Sequence, residues 1–188
     1  MAGCFTITDL VVDKQLGPQF DDGTVASFRL SPQDYHRYHS PVSGTINLFQ
    51  SMPGDYYKMD PFALRSRLDI LTRNARDYVV IETKEFRDIL FVAIGASQVD
   101  LVKIHEQWQQ PGSEIYKGDE LGIFQFGGTL IIMAFKKNCI QFDKDLLQFS
   151  AQAIAVDVEV GMSLGRARKV CHRLWPGFWL SAMPSTQF

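Results

Sequence analysis

The sequence feature that most constrains the fold is a series of short apolar runs separated by Gly or Pro turns. The run Leu130–Phe135 is apolar at every position and follows the glycine pair Gly127-Gly128. Such a run, bounded by turn residues, is typical of a strand that is buried on both faces. The strands predicted in this way are Ala26–Leu30, Thr45–Phe49, Tyr78–Glu82, Ile89–Ile94, Leu121–Phe126 and Leu130–Phe135, with one more strand or a strand pair over Val99–Glu106.

Helical spacing is limited to two short stretches. Phe62–Leu71 follows Asp60-Pro61 and places apolar residues at approximately helical intervals, and Asp143–Leu147 is consistent with one helical turn. Strands therefore outnumber helices, and we predict a β-rich α+β protein with few short helices. The chain has 188 residues, of which 46% are hydrophobic and 21% charged, so it can form one domain with a sizeable core.

Charge and cysteine content narrow the class of protein further. The net charge of -2 and the pI of 6.1 give no long-range attraction to nucleic acid, so no nucleic-acid partner is predicted. The three cysteines are odd in number, far apart and without a C-x-x-C pair, which favours neither disulfides nor a zinc site. No run approaches the about 18 apolar residues of a membrane span, and Met1–Phe20 lacks signal-peptide features, so we expect a soluble cytoplasmic protein.

Residues 28–46, FRLSPQDYHRYHSPVSGTI, concentrate titratable side chains beside turn residues. Because Pro32 and Pro41 bracket the segment, we predict a strand, a polar turn or one helical turn, and then a second strand. On a helical turn His36 and His39 would share a face, and the two imidazoles would be a candidate acid/base pair. The alternative is two surface histidines in a polar loop. No metal site is predicted, because a tetrahedral site needs a third ligand that the sequence does not specify.

The C-terminal residues differ in character from the rest of the chain. After Gly165 the sequence reads RARKVCHRLWPGFWLSAMPSTQF, a basic cluster followed by aromatic residues around Pro176-Gly177. Basic and aromatic residues together can bind a membrane surface, where they meet headgroups and the interface. The alternatives are that this tail packs on the domain or is disordered. Peripheral membrane contact through the tail is therefore an expectation to be tested.

Two distant segments resemble parts of one known architecture. Ser40–Ile46, SPVSGTI, resembles the opening strand of lipoyl- and biotinyl-type barrel-sandwich domains, and Ile115–Gly122, IYKGDELG, resembles their hammerhead turn. This resemblance implies barrel-sandwich-like antiparallel sheets. A carrier function is not implied, because no lysine lies at a hairpin tip between two such halves.

A wider resemblance covers nearly the whole chain, from about Phe5 to Arg168. The segments FRLSPQDYHRYHSPVSGTI, PGDYYKMDPFALRSRLDILTRNAR, FVAIGASQV and KGDELGIFQFGGT follow one another in the order and at the separations typical of the phosphatidylserine decarboxylase family. The chain resembles especially the fungal branch of that family, with members acting on soluble amino acids. The resemblance implies a family domain over residues 1–165, shorter at its N-terminus than its relatives, followed by the tail 166–188.

Self-cleavage makes the catalytic group in this family. In relatives the serine after the glycine pair attacks the preceding carbonyl, and elimination leaves a pyruvoyl group, which condenses with the substrate amine and withdraws electrons as CO2 leaves. By resemblance, the cleavage site of this chain is Gly128-Thr129. His39 matches the histidine that activates the hydroxyl, and His36 matches the one that assists decarboxylation or reprotonation.

Three departures from the family pattern bear on activity. Thr129 stands where relatives have serine, so processing would leave a 2-oxobutanoyl group with an extra methyl. Relatives orient the activating histidine with an aspartate from an upstream Pro-Ala-Asp segment that this sequence does not contain, and loss of such a partner costs on the order of 10⁴ in rate in a hydrolase triad. Relatives carry Val-Gly-Ser where this chain has Val99-Asp100-Leu101. Asp100 is therefore expected in the substrate pocket, together with Tyr35 and Tyr57.

Two functional classes follow. The first is a self-processed carboxy-lyase that acts on an amino acid or an aminophospholipid through a pyruvoyl-type, here 2-oxobutanoyl, group at Thr129. The second is an unprocessed family member that uses His36 and His39 for other acid/base chemistry, as a cyclase or isomerase of secondary metabolism, or that only binds a ligand. An inactive fragment is a third possibility. In the first two classes the partner is a small amino-acid-like molecule or a phospholipid, and we expect a homo-oligomer.

Overall fold

A computed structural model describes residues 5–58, 69–96, 101–125 and 129–168. Their strands form a six-stranded, a three-stranded and a two-stranded sheet, which confirms the prediction of a β-rich fold with few short helices. The strands are β1 (Thr24–Leu30), β2 (Arg37–His39), β3 (Gly44–Met52), β4 (Arg76–Thr83), β5 (Arg87–Ile94), β6 (Leu101–Ile104), β7 (Glu114–Ile115), β8 (Glu120–Gln125), β9 (Thr129–Phe135), β10 (Ile140–Phe142) and β11 (Gly165–Ala167). The helices are α1 (Ile7–Val11), α2 (Ile70–Arg73) and α3 (Lys144–Ala151), with 3₁₀ turns at Gly17–Gln19 and Glu106–Trp108.

The six-stranded sheet has the order β1-β9-β5-β4-β3-β7, and every neighbouring pair is antiparallel. Strand β9 is its most enclosed member, because it pairs with β1 on one side and β5 on the other and is buried at every position. This explains the uninterrupted apolar run in the sequence, since each face of β9 contacts a hydrophobic cluster. The prediction of a doubly buried strand at Leu130–Phe135 is thus confirmed.

The three-stranded sheet, in the order β2-β8-β6, covers one face of the larger sheet. The cluster between them combines Tyr38, Ile104, Leu121 and Phe124 from the small sheet with residues of β4, β5 and β9. Segment 40–46 and segment 115–122 meet beside this cluster, where Gly44 pairs with Ile115 and Thr45 with Glu114. The two segments that resemble a barrel-sandwich domain are therefore neighbours in the fold.

The opposite face of the six-stranded sheet is covered by α1 and α2. Helix α1 begins with a capping box, in which the Thr6 hydroxyl accepts from the Asp9 amide and the Asp9 carboxylate accepts from the Thr6 amide. Leu10 is fully buried in this second cluster, and its carbonyl accepts a 2.6 Å hydrogen bond from Nε of the buried Arg76. The guanidinium of Arg76 therefore anchors α1 to the start of β4.

The last described part of the chain is attached at one edge. Strands β10 and β11 form the two-stranded sheet, and between them α3 and the segment 153–164, which contains no regular secondary structure, are mostly exposed. Helix α3 confirms the predicted turn at Asp143–Leu147 and extends it. Most of the predicted helix Phe62–Leu71 lies outside the described residues, as does the tail from residue 169 onward. No helix within the described ranges is both long enough and apolar enough to span a bilayer.

Candidate active site

The candidate site lies near the end of β1 and the start of β9. Leu30, the last residue of β1, pairs with Thr129, the first residue of β9. In the smaller sheet β2 pairs with β8, and the His36 carbonyl, just before β2, accepts a 2.9 Å hydrogen bond from the Phe124 amide. The segment from β1 to β2 therefore carries His36. Gly128 lies outside the described residues.

Thr129 is the buried nucleophile candidate. Its side chain is 0% exposed, and Oγ1 has no hydrogen-bond partner among the described residues. Alternation along β9 places it on the same face as Ile131 and Met133, which pack between the two main sheets. A buried hydroxyl without a partner is costly, and such groups commonly serve a function. The position predicted to supply the hydroxyl is therefore chemically unusual in the fold.

His39 is held by both ring nitrogens. Nδ1 lies 2.9 Å from the Gly118 carbonyl oxygen, and Nε2 lies 2.8 Å from the Tyr35 hydroxyl. Because a carbonyl can only accept, Nδ1 carries the proton, and Nε2 accepts from the Tyr35 hydroxyl. The Tyr35 and His39 rings are also stacked, with centroids 5.7 Å apart and planes at 9°. His39 is therefore fixed in the tautomer whose Nε2 can act as a base.

The turn that orients His39 depends on a glycine. Gly118 has φ of 95°, a left-handed conformation that a residue with a side chain rarely adopts. Its amide donates to the Ser40 carbonyl at 2.9 Å, and the Ser40 amide donates to Asp119 at 2.8 Å. This reciprocal pair fixes the Gly118 carbonyl against His39. Among the described residues, the partner of Nδ1 is thus a neutral carbonyl and not a carboxylate.

His36 precedes β2 and is held differently. Its Nδ1 donates to the Asp34 carbonyl, while the Asp34 carboxylate accepts from the Ser31 amide at 2.7 Å. These bonds confirm the predicted polar turn after β1. The alternative of a helical turn is wrong, because β2 is extended and pairs with β8, with a register shift between Tyr38 and His39. The sequence does not reveal this pairing, since its partner strand lies far along the chain.

The remaining residues predicted for the substrate pocket are only partly described. Tyr35 is 52% exposed and lies against His39, as above. Tyr57 is held through its backbone by Asn74, whose amide group also donates to the Gly95 carbonyl at 2.7 Å. Gly95 follows β5, whose last residue pairs with Leu130 beside Thr129. The backbone of Tyr57 therefore lies at the same end of these strands as Thr129. Asp100 lies outside the described residues.

A polar cluster next to the site was not predicted. Glu120 pairs in register with His39, but its Oε1 accepts from Arg37 Nη1 at 2.6 Å and from His105 Nε2 at 2.8 Å. Hydrogen bonding from His105, followed by Arg37, holds the pKa of Glu120 below its usual range. His105, Trp108, Asp119 and Glu120 line an open pocket of about 630 Å³. The cluster joins residues from three strand regions, so no local pattern marks it.

Two further titratable groups are buried between the two main sheets, Tyr38 on β2 and Asp77 on β4. Tyr38 is 2% exposed, and its hydroxyl has no partner among the described residues. Burial, and then the charge of Asp77, raises the pKa of Tyr38. Burial likewise raises the pKa of Asp77, although Ser51 and the Ile104 amide bond to its carboxylate. In the described parts of the chain, no group of three or more His, Cys, Asp or Glu side chains is placed to bind a metal ion.

Comparison with known proteins agrees with the sequence resemblance. The family model described as phosphatidylserine decarboxylase matches residues 2–166. Phosphatidylserine decarboxylase proenzyme 2 of Komagataella phaffii is 41% identical over 152 residues, which are 81% of this chain and 15% of the relative. The proenzyme 2 of Oryza sativa subsp. japonica is 45% identical over 145 residues, 77% of this chain and 23% of the relative.

A bacterial relative is matched over a larger share of its length. Phosphatidylserine decarboxylase proenzyme of Chlamydia muridarum is 37% identical over 162 residues, which are 86% of this chain and 53% of that protein. The chain thus spans about half, or less, of the length of these relatives. All three relatives are named as proenzymes, which are proteins that require processing.

Proposed function

Because the chain belongs to the phosphatidylserine decarboxylase family, we propose that it is a carboxy-lyase whose catalytic carbonyl comes from self-cleavage at Gly128-Thr129. The observation that supports this most is the Thr129 hydroxyl, which is fully buried and has no partner among the described residues. Most buried hydroxyls are hydrogen-bonded, so a buried hydroxyl without a partner at the position of the expected nucleophile is consistent with a chemical role.

The first step is an acyl shift within the chain. Thr129 Oγ1 attacks the Gly128 carbonyl carbon, His39 Nε2 takes the hydroxyl proton, and the peptide bond breaks as the proton passes to the Thr129 nitrogen. An ester then joins Gly128 to the Thr129 oxygen, and Thr129 has a free amine. In its present tautomer His39 has the unprotonated Nε2 that this step needs.

Elimination completes the cleavage. Removal of the Thr129 Cα proton expels Gly128 as a carboxylate, and water then replaces the nitrogen, which leaves as ammonia. The new chain begins with a 2-oxobutanoyl group. When present, such a carbonyl is the electrophile that receives the substrate amine and the electron pair released as CO2 departs. His36, whose Nδ1 proton is held by the Asp34 carbonyl, is proposed to supply the proton that replaces CO2 on the substrate carbon.

We expect processing to be slow. The Gly118 carbonyl fixes the tautomer of His39, but it carries no full negative charge to stabilise the imidazolium that forms when Nε2 takes a proton. Thr129 also retains a methyl that a serine lacks, in a fully buried position. Both features raise the barrier to the first step or to the reaction of the new carbonyl.

A denaturing gel tests the proposal. Processing yields residues 1–128 and 129–188, and the smaller piece is blocked to Edman chemistry and is lighter by one ammonia than a hydrolytic fragment. Thr129→Ala should give one intact band, and Thr129→Ser should cleave faster because serine lacks the crowding methyl. A single band at 21.3 kDa in the wild type after long incubation contradicts self-cleavage.

The substrate is proposed to be an amine that carries a carboxylate on the adjacent carbon, either a free amino acid or an aminophospholipid. Release of CO2 from free serine and from phosphatidylserine vesicles distinguishes these two sources. Binding of the intact chain and of a variant ending at Arg168 to the same vesicles tests peripheral membrane contact through the tail. Sedimentation of the purified protein tests the expected homo-oligomer.

A second function is supported by the state of His39. Its Nε2 is already bonded to Tyr35, so an acid/base pair exists in the uncleaved chain. An unprocessed cyclase, isomerase or ligand-binding protein would use His36 and His39 in this form. Under this alternative, Thr129→Ala leaves turnover or binding unchanged, whereas His36→Ala and His39→Ala reduce it without any change in chain length.

A further inference from the structure

We propose that Tyr35 is a positioning residue that holds the base nitrogen of His39 and thereby limits the rate of self-cleavage. This inference rests on the proposed function and deepens it. It assigns to Tyr35 a role other than lining the substrate pocket. Three observations support it. His39 is protonated on Nδ1, its Nε2 is hydrogen-bonded to Tyr35, and that nitrogen is not hydrogen-bonded to the Thr129 hydroxyl that it must activate.

The tautomer follows from the partner of Nδ1. Gly118 offers only a carbonyl oxygen, so the proton resides on Nδ1 at 2.9 Å from that oxygen. Nε2 consequently has a lone pair and no proton. Of the two ring nitrogens, it is therefore the one that can accept a proton from Thr129.

That lone pair is already engaged. The Tyr35 hydroxyl lies 2.8 Å from Nε2 and donates to it, and the two rings are stacked with nearly parallel planes. The contact is local, since the two residues are four positions apart: Tyr35 precedes β2, and His39 is the last residue of β2. Hydrogen bonding and stacking together select one orientation of the imidazole.

The nucleophile is left without its base in this arrangement. Thr129 Oγ1 has no partner among the described residues, so it is not bonded to Nε2. Tyr35, by contrast, is 52% exposed and belongs to neither hydrophobic cluster, so its ring can rotate toward solvent without disturbing the core. Release of the Tyr35 hydroxyl must therefore precede or accompany transfer of the Thr129 proton to His39. A neutral hydrogen bond of this kind changes an equilibrium by roughly two- to tenfold.

Tyr35→Phe removes the hydroxyl and keeps the stacked ring. Cleavage is followed on denaturing gels from the moment of synthesis in a cell-free translation, and we expect Tyr35→Phe to cleave roughly two- to tenfold faster than the wild type. Tyr116→Phe is the matched control. Tyr116 is 63% exposed on the turn that contains Gly118, and the proposed mechanism does not use its hydroxyl. An unchanged or slower rate in Tyr35→Phe overturns the proposal, and a slower rate indicates a proton relay.

A second measurement does not depend on cleavage. In the Thr129→Ala background, the imidazole ¹⁵N spectrum of His39 should show a protonated Nδ1 and an unprotonated Nε2. Tyr35→Phe should shift the Nε2 resonance and leave Nδ1 protonated, while Tyr116→Phe should change neither. If the Nε2 chemical shift is the same in Tyr35→Phe, the positioning role of Tyr35 is overturned, even if the wild type cleaves. If neither the wild type nor Tyr35→Phe cleaves, self-cleavage and the predicted rate effect are both contradicted. The ¹⁵N spectrum then still shows whether Tyr35 bonds to Nε2 of His39.

Discussion

Leu30 and Thr129 lie directly opposite each other in the β1–β9 ladder, at the last residue of one strand and the first of the other. This register fixes the start of β9 relative to the turn that begins at Ser31. The turn leads through Tyr35 and His36 into β2, which pairs with β8 in the three-stranded sheet. Thr129 and His39 are thus each held in a strand whose register is defined.

Thr129→Val should abolish cleavage and also stabilise the uncleaved protein. Valine has nearly the same shape but no hydroxyl, so the substitution removes a buried polar group that has no partner among the described residues. We expect the free energy of unfolding to rise by about 1 kcal/mol. The comparison is made by urea unfolding in a His39→Ala background, where both proteins remain intact. A loss of stability would show that Oγ1 has a partner in the native protein.

His39→Ala should slow cleavage far more than His105→Ala. His39 Nε2 is the proposed base, and loss of a general base costs about 10²- to 10⁴-fold. His105 is the matched control, because its Nε2 bonds to Glu120 in the neighbouring polar cluster. Rates come from the loss of the intact band on denaturing gels. Equal effects of the two substitutions would mean that the imidazole at position 39 acts only through folding.

Gly122→Ala should destabilise the three-stranded sheet. A methyl at this position would overlap the Lys103 carbonyl and the phenol end of Tyr38. Overpacking of this kind costs about 1–3 kcal/mol. Thermal or urea unfolding of the Thr129→Ala protein measures it without interference from cleavage. A loss of less than about 0.5 kcal/mol in the free energy of unfolding is typical of a surface substitution. It would mean that β8 can move away from β2 and make room for the methyl.

Tyr38→Phe, unlike Gly122→Ala, is expected to preserve or raise the stability of the protein. The Tyr38 hydroxyl is buried and has no partner among the described residues, so its removal relieves a desolvation cost and leaves the ring packed between Phe91 and Phe124. We expect a stability equal to that of the parent or higher by up to about 1 kcal/mol. A marked loss of stability on urea unfolding would reveal a hydrogen bond to this hydroxyl.

Asp77→Asn should change how stability depends on pH. Burial raises the pKa of Asp77 above its ordinary value of 3.8, so over the interval from that value up to the raised one the folded state binds more protons than the unfolded state. The contribution of Asp77 is therefore most favourable below pH 3.8 and is lost as pH rises through the raised pKa. Urea unfolding at acidic and neutral pH should show the asparagine variant gaining on its parent as pH increases. A gain in the opposite direction would contradict a pKa of Asp77 that burial raises.

The strands could be predicted because burial leaves a direct record in the sequence. Runs such as Leu130–Phe135 and Ile89–Ile94 are apolar at every position or nearly so, and both become central strands. Helix α1 was not predicted, although Thr6 and Asp9 have capping-box spacing, because the alternation around them indicates no helix. Strand β2 was not predicted because RYH is short and polar, and only its pairing with β8 makes it extended.

The candidate site residues could be proposed from the sequence, but their contacts could not. The residue pattern marks His36 and His39 as a candidate acid/base pair, and the family resemblance adds Thr129 and the proposed roles, but neither source carries distances. The partner of His39 Nδ1 is Gly118, which is 79 positions away, and Arg37 reaches Glu120 across 83 positions. Such contacts depend on strand register, which a sequence pattern leaves open by steps of one residue. The Tyr35 contact is local, but its geometry depends on the turn held by Asp34.

Strand β9 is held on both sides, by β1 and by β5, beginning at its first residue. A cut immediately before it would therefore leave two polypeptides interleaved in one sheet, and neither could diffuse away while the sheet survived. Such a molecule would unfold as a unit, but it could regain its structure only when the two separated pieces met again. Its renaturation yield would depend on concentration, whereas that of the uncut precursor would not.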